Sequence, residues 1–183
     1  MSLKYGLLGL LNYKDMTGYE LSKAFKDSLS FFWQAQTAQI YRELNTMEKD
    51  NWLTSHIEIQ TDKPNKRVYS ITDTGRNAFQ KWLRTDMPQY FFPSRNEGLL
   101  RAFFFGQSDI SVTIEKLRKM EDAYKLQLAG IQSSGNIITQ YRCVASSELD
   151  ILSWNLTKQF GESYCKMCIE WIENTIKVLE TKL

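Results

Sequence analysis

The sequence predicts a mainly α-helical protein with one small β-hairpin, split into an N-terminal domain over residues 1–87 and an all-helical C-terminal domain over residues 88–183. Three observations predict it. Apolar residues recur at helical spacing through most of the 183-residue chain. Strict alternation appears only after Asn51, on the two sides of a polar turn. The last segment, Ser147 to Thr181, carries a broad apolar stripe without a proline.

The first helix is predicted from Leu3, Leu7, Leu10 and Leu11, with Gly6 and Gly9 on one face where another backbone can come close. Thr17 and Glu20 form a capping box that opens a second helix, with Leu21, Ala24 and Phe25 inward and Tyr19, Lys23 and Lys26 outward. A third helix begins somewhere in 32–36, and Ile40, Leu44 and Met47 make its apolar stripe. Its far side holds Ala35, Ala38, Gln39 and Arg42, while Glu43, Glu48 and Asp50 fall on the flank or in the last turns. An ordinary solvated helix is the plainer reading of this segment alone. Small residues, amides and one arginine are also what a helix needs to lie in a major groove.

Leu53, Ser55, Ile57 and Ile59 then alternate with polar residues, as a half-buried strand does. Residues 61–66 form a polar turn, and Arg67, Tyr69 and Ile71 mark the returning strand. Thr72 or Asp73 caps a fourth helix with Gly75, Ala78, Phe79, Trp82 and Leu83 on one face. Three helices, a hairpin with a basic tip and a further helix spell a winged helix-turn-helix.

Pro88 and Pro93 bracket the expected boundary. Ser94 and Glu97 suggest a second capping box before Leu99, Leu100, Phe103 and Phe104. A longer helix follows Ser108 or Asp109, its stripe running from Ile110 to Leu128, and residues 133–146 read as loop. In the last helix Leu149, Leu152, Leu156, Phe160, Tyr164, Met167 and Trp171 recur every three or four residues, and a second set from Ile151 to Leu179 widens the face. So broad a face on a helix of about 50 Å needs a partner chain to cover it. A homodimer through this helix is expected, with the first helix joining in.

Composition narrows the function. With 43% hydrophobic and 24% charged residues the chain is an ordinary globular protein, and no run approaches the roughly 20 apolar residues of a membrane span. The start of the chain lacks a secretory cleavage site, and three cysteines, an odd number, argue against a disulfide framework. Both fit the cytoplasm. One histidine, with no GxxxxGK[ST], HExxH or GxSxG, leaves the usual enzyme chemistries without their parts. Cys165 and Cys168 share a helix face but find no second pair, so a buried structural role outweighs a metal site. No cofactor is expected.

GLLGLL at 6–11, TGYELSKAF at 17–25, FWQAQTAQIYRELNTMEKDNWL at 32–53 and VYSITDTGRNAFQKWL at 68–83 together resemble the PadR family of transcriptional regulators. The second half is similar to the family only in layout, with Glu170-Trp171-Ile172 near its end. Where the family often has Gly-Leu after the third helix this chain has Asn51-Trp52, and asparagine tolerates the left-handed turn required there. The resemblance implies a dimeric, ligand-responsive repressor on an inverted-repeat operator. On that footing Gln39, Arg42 and Ala38 are candidates for base edges, and Tyr41, Gln36, Thr37, Tyr19 and Lys23 for the phosphate backbone. Lys63, Lys66 and Arg67 are candidate wing contacts. Trp154 and Trp171 are candidates for an aromatic-lined pocket between subunits, suited to a small lipophilic or aromatic effector. A winged helix that binds protein instead of DNA is the alternative.

Overall fold

A computed structural model of the chain describes residues 3–30, 32–61, 64–86, 96–133 and 135–183, with backbone alone at 135–137. Lys63, the expected boundary at 87–93 and the expected cap Ser94 lie outside these residues. The chain divides into two compact units, Met1–Asp86 with Ile137–Ile151, and Met87–Asn136 with Leu152–Leu183. Residues 137–151 thus pack with the first unit, although the sequence reading placed them in a domain over 88–183.

The first unit is built on α1 (Leu3–Leu11), whose Leu3, Leu7, Leu8 and Leu11 are all buried. Around it sit α2 (Gly18–Ser28), α3 (Thr37–Lys49) and α4 (Asp73–Leu83). Leu21 and Phe25 of α2 and Ile40, Leu44 and Met47 of α3 complete the core, at the positions their helical spacing assigned. Gly6 and Gly9 accept aromatic rings rather than a backbone: an added Cβ would lie 3.3 Å from Phe25 Cε2 and 3.2 Å from Phe79 Cζ, respectively.

The expected hairpin is one part of a three-stranded sheet. A two-residue β1 (Met16–Thr17) pairs with β3 (Lys66–Ile71), which pairs with β2 (Leu53–Glu58), in the order β1-β3-β2. Met16 lies opposite Tyr69 and Thr17 opposite Val68, so the start of α2 is tied to the wing by backbone pairing. Strand β2 is half-buried only at its beginning, since Ile57 and Ile59 are exposed beyond the core.

The second unit contains α5 (Glu97–Phe103), α6 (Ile110–Ser133) and most of α8 (Glu148–Glu180). Asn96 caps α5 by accepting from Leu99 N, so this helix starts later than a Ser94 cap would have it. Asp109 caps α6, its Oδ1 accepting from Val112 N at 2.9 Å. Ile114 and Leu117 of α6 pack on Ile172 and Ile176 of α8. The stretch read as loop is largely helical: α7 (Gly135–Tyr141) is followed by a 3-10 turn over Arg142–Val144.

Candidate nucleic-acid interface

Two features frame α3, one at the start of α2 and one at its own end. The capping box opens α2: Thr17 N and Oγ1 each donate to Glu20 Oε2 at 2.8 Å, while Glu20 N donates to Thr17 Oγ1 at 3.2 Å. These bonds hold the Glu20 carboxyl below its ordinary range, with Lys66 and Lys14 adding to the effect. At the far end, Asn51 takes φ 59°. Asn51 N donates to Glu48 O at 3.1 Å and Trp52 N to Met47 O at 2.8 Å, the two bonds of a Schellman stop. The chain therefore turns sharply from α3 into β2, and the wing rises beside the helix.

On α3, Ala38, Arg42, Asn45 and Lys49 recur at three- and four-residue steps and are all exposed. This row differs from the expected one. Ala35 precedes the helix, which begins only at Thr37, and packs on the core; Gln39 lies within the helix and is half-buried. Asn45 and Lys49 take their places, and continuing the spacing from Ala38 and Arg42 would have found both. Gln36 is the N-cap but makes no side-chain cap bond; Gln36 and Thr37 are exposed at the helix start. Arg42 makes no ion pair among the described residues, so its guanidinium is available to a ligand.

Beside this row lies a groove of about 760 Å3 between the start of α2, α3 and the wing. Tyr19, Tyr41, Asn45, Asn65, Lys66 and Arg67 line it. Tyr41 packs close against Gly18, where an added Cβ would lie 2.5 Å from its Cε1. Tyr19 is 74% exposed at the groove's edge, and Lys23 is exposed one turn further along α2. Sequence reasoning missed Asn65, whose signal was only its place in the turn.

Arg67 is not at a free wing tip. Its Nη2 donates to Glu48 Oε2 at 2.6 Å and its Nε to Ser55 Oγ at 2.9 Å. Ser55 Oγ in turn donates to Glu48 Oε1 at 2.6 Å, closing a ring of three side chains across α3, β2 and β3. The Ser55 bond is the leading cause that holds the Glu48 carboxyl below its ordinary range, and Arg67 adds to it. Burial pushes the Tyr69 phenol up beneath this clamp, so it stays neutral. Lys66, one residue before Arg67, is exposed and makes no salt bridge among the described residues.

The second unit holds Trp171 in the wall of a separate cavity, between α6 and the turn after α5. Trp154 is half-buried and is not part of that wall. The two are about 25 Å apart along α8, so within one chain they do not share a pocket. Of the cysteines, Cys165 is buried, Cys168 half-buried and Cys143 exposed, all free.

A helix-turn-helix with an exposed, arginine-bearing third helix and a wing clamped beside it belongs to the class of winged-helix regulators. Residues 7–81 match the family described as Transcriptional regulator PadR-like family, and residues 94–180 match Virulence activator alpha C-term. The Negative transcriptional regulator PadR of Bacillus subtilis is 36% identical over 104 residues, 56% of this chain and 56% of the relative. The match thus spans about half the length of that relative. A crystal structure of Bacillus subtilis PadR in complex with operator DNA superposes with TM-score 0.82 and 26% identity, covering 98% of this chain and 99% of that one. The Vibrio cholerae virulence activator AphA shares the fold over the whole of both chains, with TM-score 0.76 and 24% identity. Residues 7–81 thus form a PadR-like domain, the domain of a family described as transcriptional regulators.

Proposed function

We propose that the protein is a repressor that binds an inverted-repeat operator as a homodimer in the cytoplasm and answers to a small lipophilic or aromatic effector. In this reading the first unit is the reading head and the helical C-terminal region, 88–183, joins two copies. The observation that carries it is the exposed row Ala38, Arg42 and Asn45 beside a groove bordered by Lys66. Arg42 suits the O6 and N7 of guanine, Asn45 or Gln39 suits adenine, and Ala38 fits a thymine methyl. Tyr41, Tyr19 and Lys23 lie where a phosphate strand would cross the groove, with Gln36 and Thr37 at the start of α3.

The operator-bound relative supports DNA as partner. The dimer is supported by α8, on which Leu149, Leu152, Leu156, Phe160 and Met167 are each more than half exposed at helical spacing. No helix among the described residues is long and apolar enough to cross a membrane.

Quantitative gel shifts test this reading. Arg42→Ala weakens operator binding by about 1–3 kcal/mol and relaxes specificity at one base pair. Lys66→Ala weakens all sequences alike and lowers the salt slope by about one. Failure of the native protein to shift the DNA upstream of its own coding region would favour a protein-binding winged helix instead.

A further inference from the structure

We infer that the wing reads DNA through an apolar ridge, Ile57 and Ile59, which seats in the minor groove and selects A·T over G·C pairs there. The ridge deepens the proposed function and rests on its reading of DNA as the partner of α3. It follows from the register of the hairpin. Leu53 lies opposite Ile71, Ser55 opposite Tyr69 and Ile57 opposite Arg67. Residues two apart on a strand share a face, so Leu53, Ser55 and Ile57 form one row, and Ile59, just past the strand, continues the spacing. The row starts in the core at Leu53 and passes the clamp to Glu48 of α3 at Ser55. Beyond the clamp it runs out of the protein, with Ile57 66% and Ile59 87% exposed. Its end is held in place, because Gln60 N donates to Asn65 Oδ1 at 3.2 Å across the turn.

Arg67 faces Ile57 across the ladder but turns its guanidinium back to Ser55 and Glu48, which leaves the row past the clamp apolar. Strand β2 is the outer strand of the sheet, where bare isoleucines invite unwanted pairing unless a partner covers them. Ser55 ties this face to α3, and Lys66 on the adjacent strand borders the groove beside that helix. A duplex seated on α3 is therefore the body that meets the ridge. In a minor groove A·T pairs show only acceptors, whereas guanine adds its N2 amino group. An isoleucine pressed against that amino group leaves a donor without a partner, and aliphatic wedges are a known device of minor-groove binding.

Inosine isolates this contact, since an I·C pair keeps the major-groove face of G·C but lacks the minor-groove amino group. Gel shifts use duplexes carrying the DNA upstream of the protein's own coding region. The minor-groove stretches that border each protected half-site are made all A·T, all I·C or all G·C. The native protein should bind the first two alike and the third about tenfold more weakly. Ile57→Thr with Ile59→Thr keeps β-branching at exposed positions, so the melting temperature should hold. That variant should bind all three duplexes alike, with the salt slope of the native protein, because isoleucine releases no counterion. Native binding that treats I·C as it treats G·C, or a preference that survives in the variant, would overturn the ridge and leave the DNA reading intact. A variant that matches the native protein on every duplex would assign the isoleucines to a protein partner instead. Failure of the native protein to bind any of the three would remove the DNA reading and the ridge together.

Discussion

Arg67 and Lys66 are neighbours on one strand with opposite commitments. Arg67 spends two nitrogens on Ser55 and Glu48, so it holds the wing against α3; Lys66 keeps its ammonium in solvent at the groove. The clamp has a pH signature. The folded Glu48 carboxyl titrates below its ordinary value of 4.5. Its contribution to stability is therefore complete above that value and is lost as pH falls through the lower folded one. Melting temperatures of the native protein and Glu48→Gln should differ at neutral pH and converge in acid; a constant gap would refute the clamp. Sequence made Arg67 visible only as a cation near a turn. Its partner Glu48 is 19 residues away, and the pairing depends on strand register that no local pattern carries.

At the scale of elements, helices with strong periodicity were legible: α3 buries its stripe of Ile40, Leu44 and Met47, and the bounds of α8 run nearly as its stripe predicts, although Leu149 to Met167 of that stripe stay exposed. The left-handed stop at Asn51 was legible too, from the chemistry of asparagine. Strand β1 was not, since two residues have no period and their partner lies in β3. Nor was α7, whose seven residues begin at Gly135, directly after a serine pair that read as loop. The start of α3 was soft for lack of a side-chain cap, and that softness put Ala35, which precedes the helix, on its face. Two glycines separate function from folding at this scale. Gly18→Ala pushes only the mobile end of the Tyr41 ring, so DNA affinity should fall while the melting temperature holds or rises. Gly75→Ala drives a Cβ to within 2.2 Å of Trp52 O, which is backbone, and should cost about 1–3 kcal/mol of stability. Parallel denaturant melts and gel shifts on the two variants check both outcomes.

For the whole molecule, the proposed reading gives one head a single arginine, a few amides and a wing lysine for DNA, too little for tight, specific binding by itself. The proposed homodimer would double that contact and set the spacing of half-sites, about one helical turn or a multiple of it. The apolar stripe of α8 was legible as a stripe, and its exposure in the single chain is why a second copy is invoked. Leu152→Asp with Phe160→Asp should give a folded monomer by sedimentation and reduce operator affinity far more than it alters helix content. A dimer that persists would move the interface elsewhere. The most direct measurement is a footprint of the native protein on the DNA just upstream of its own coding region, repeated with Arg42→Ala. Two protected half-sites related by a dyad, both lost in the variant at the same concentration, are the predicted result. A single unsymmetrical patch, or protection indifferent to Arg42, would contradict it.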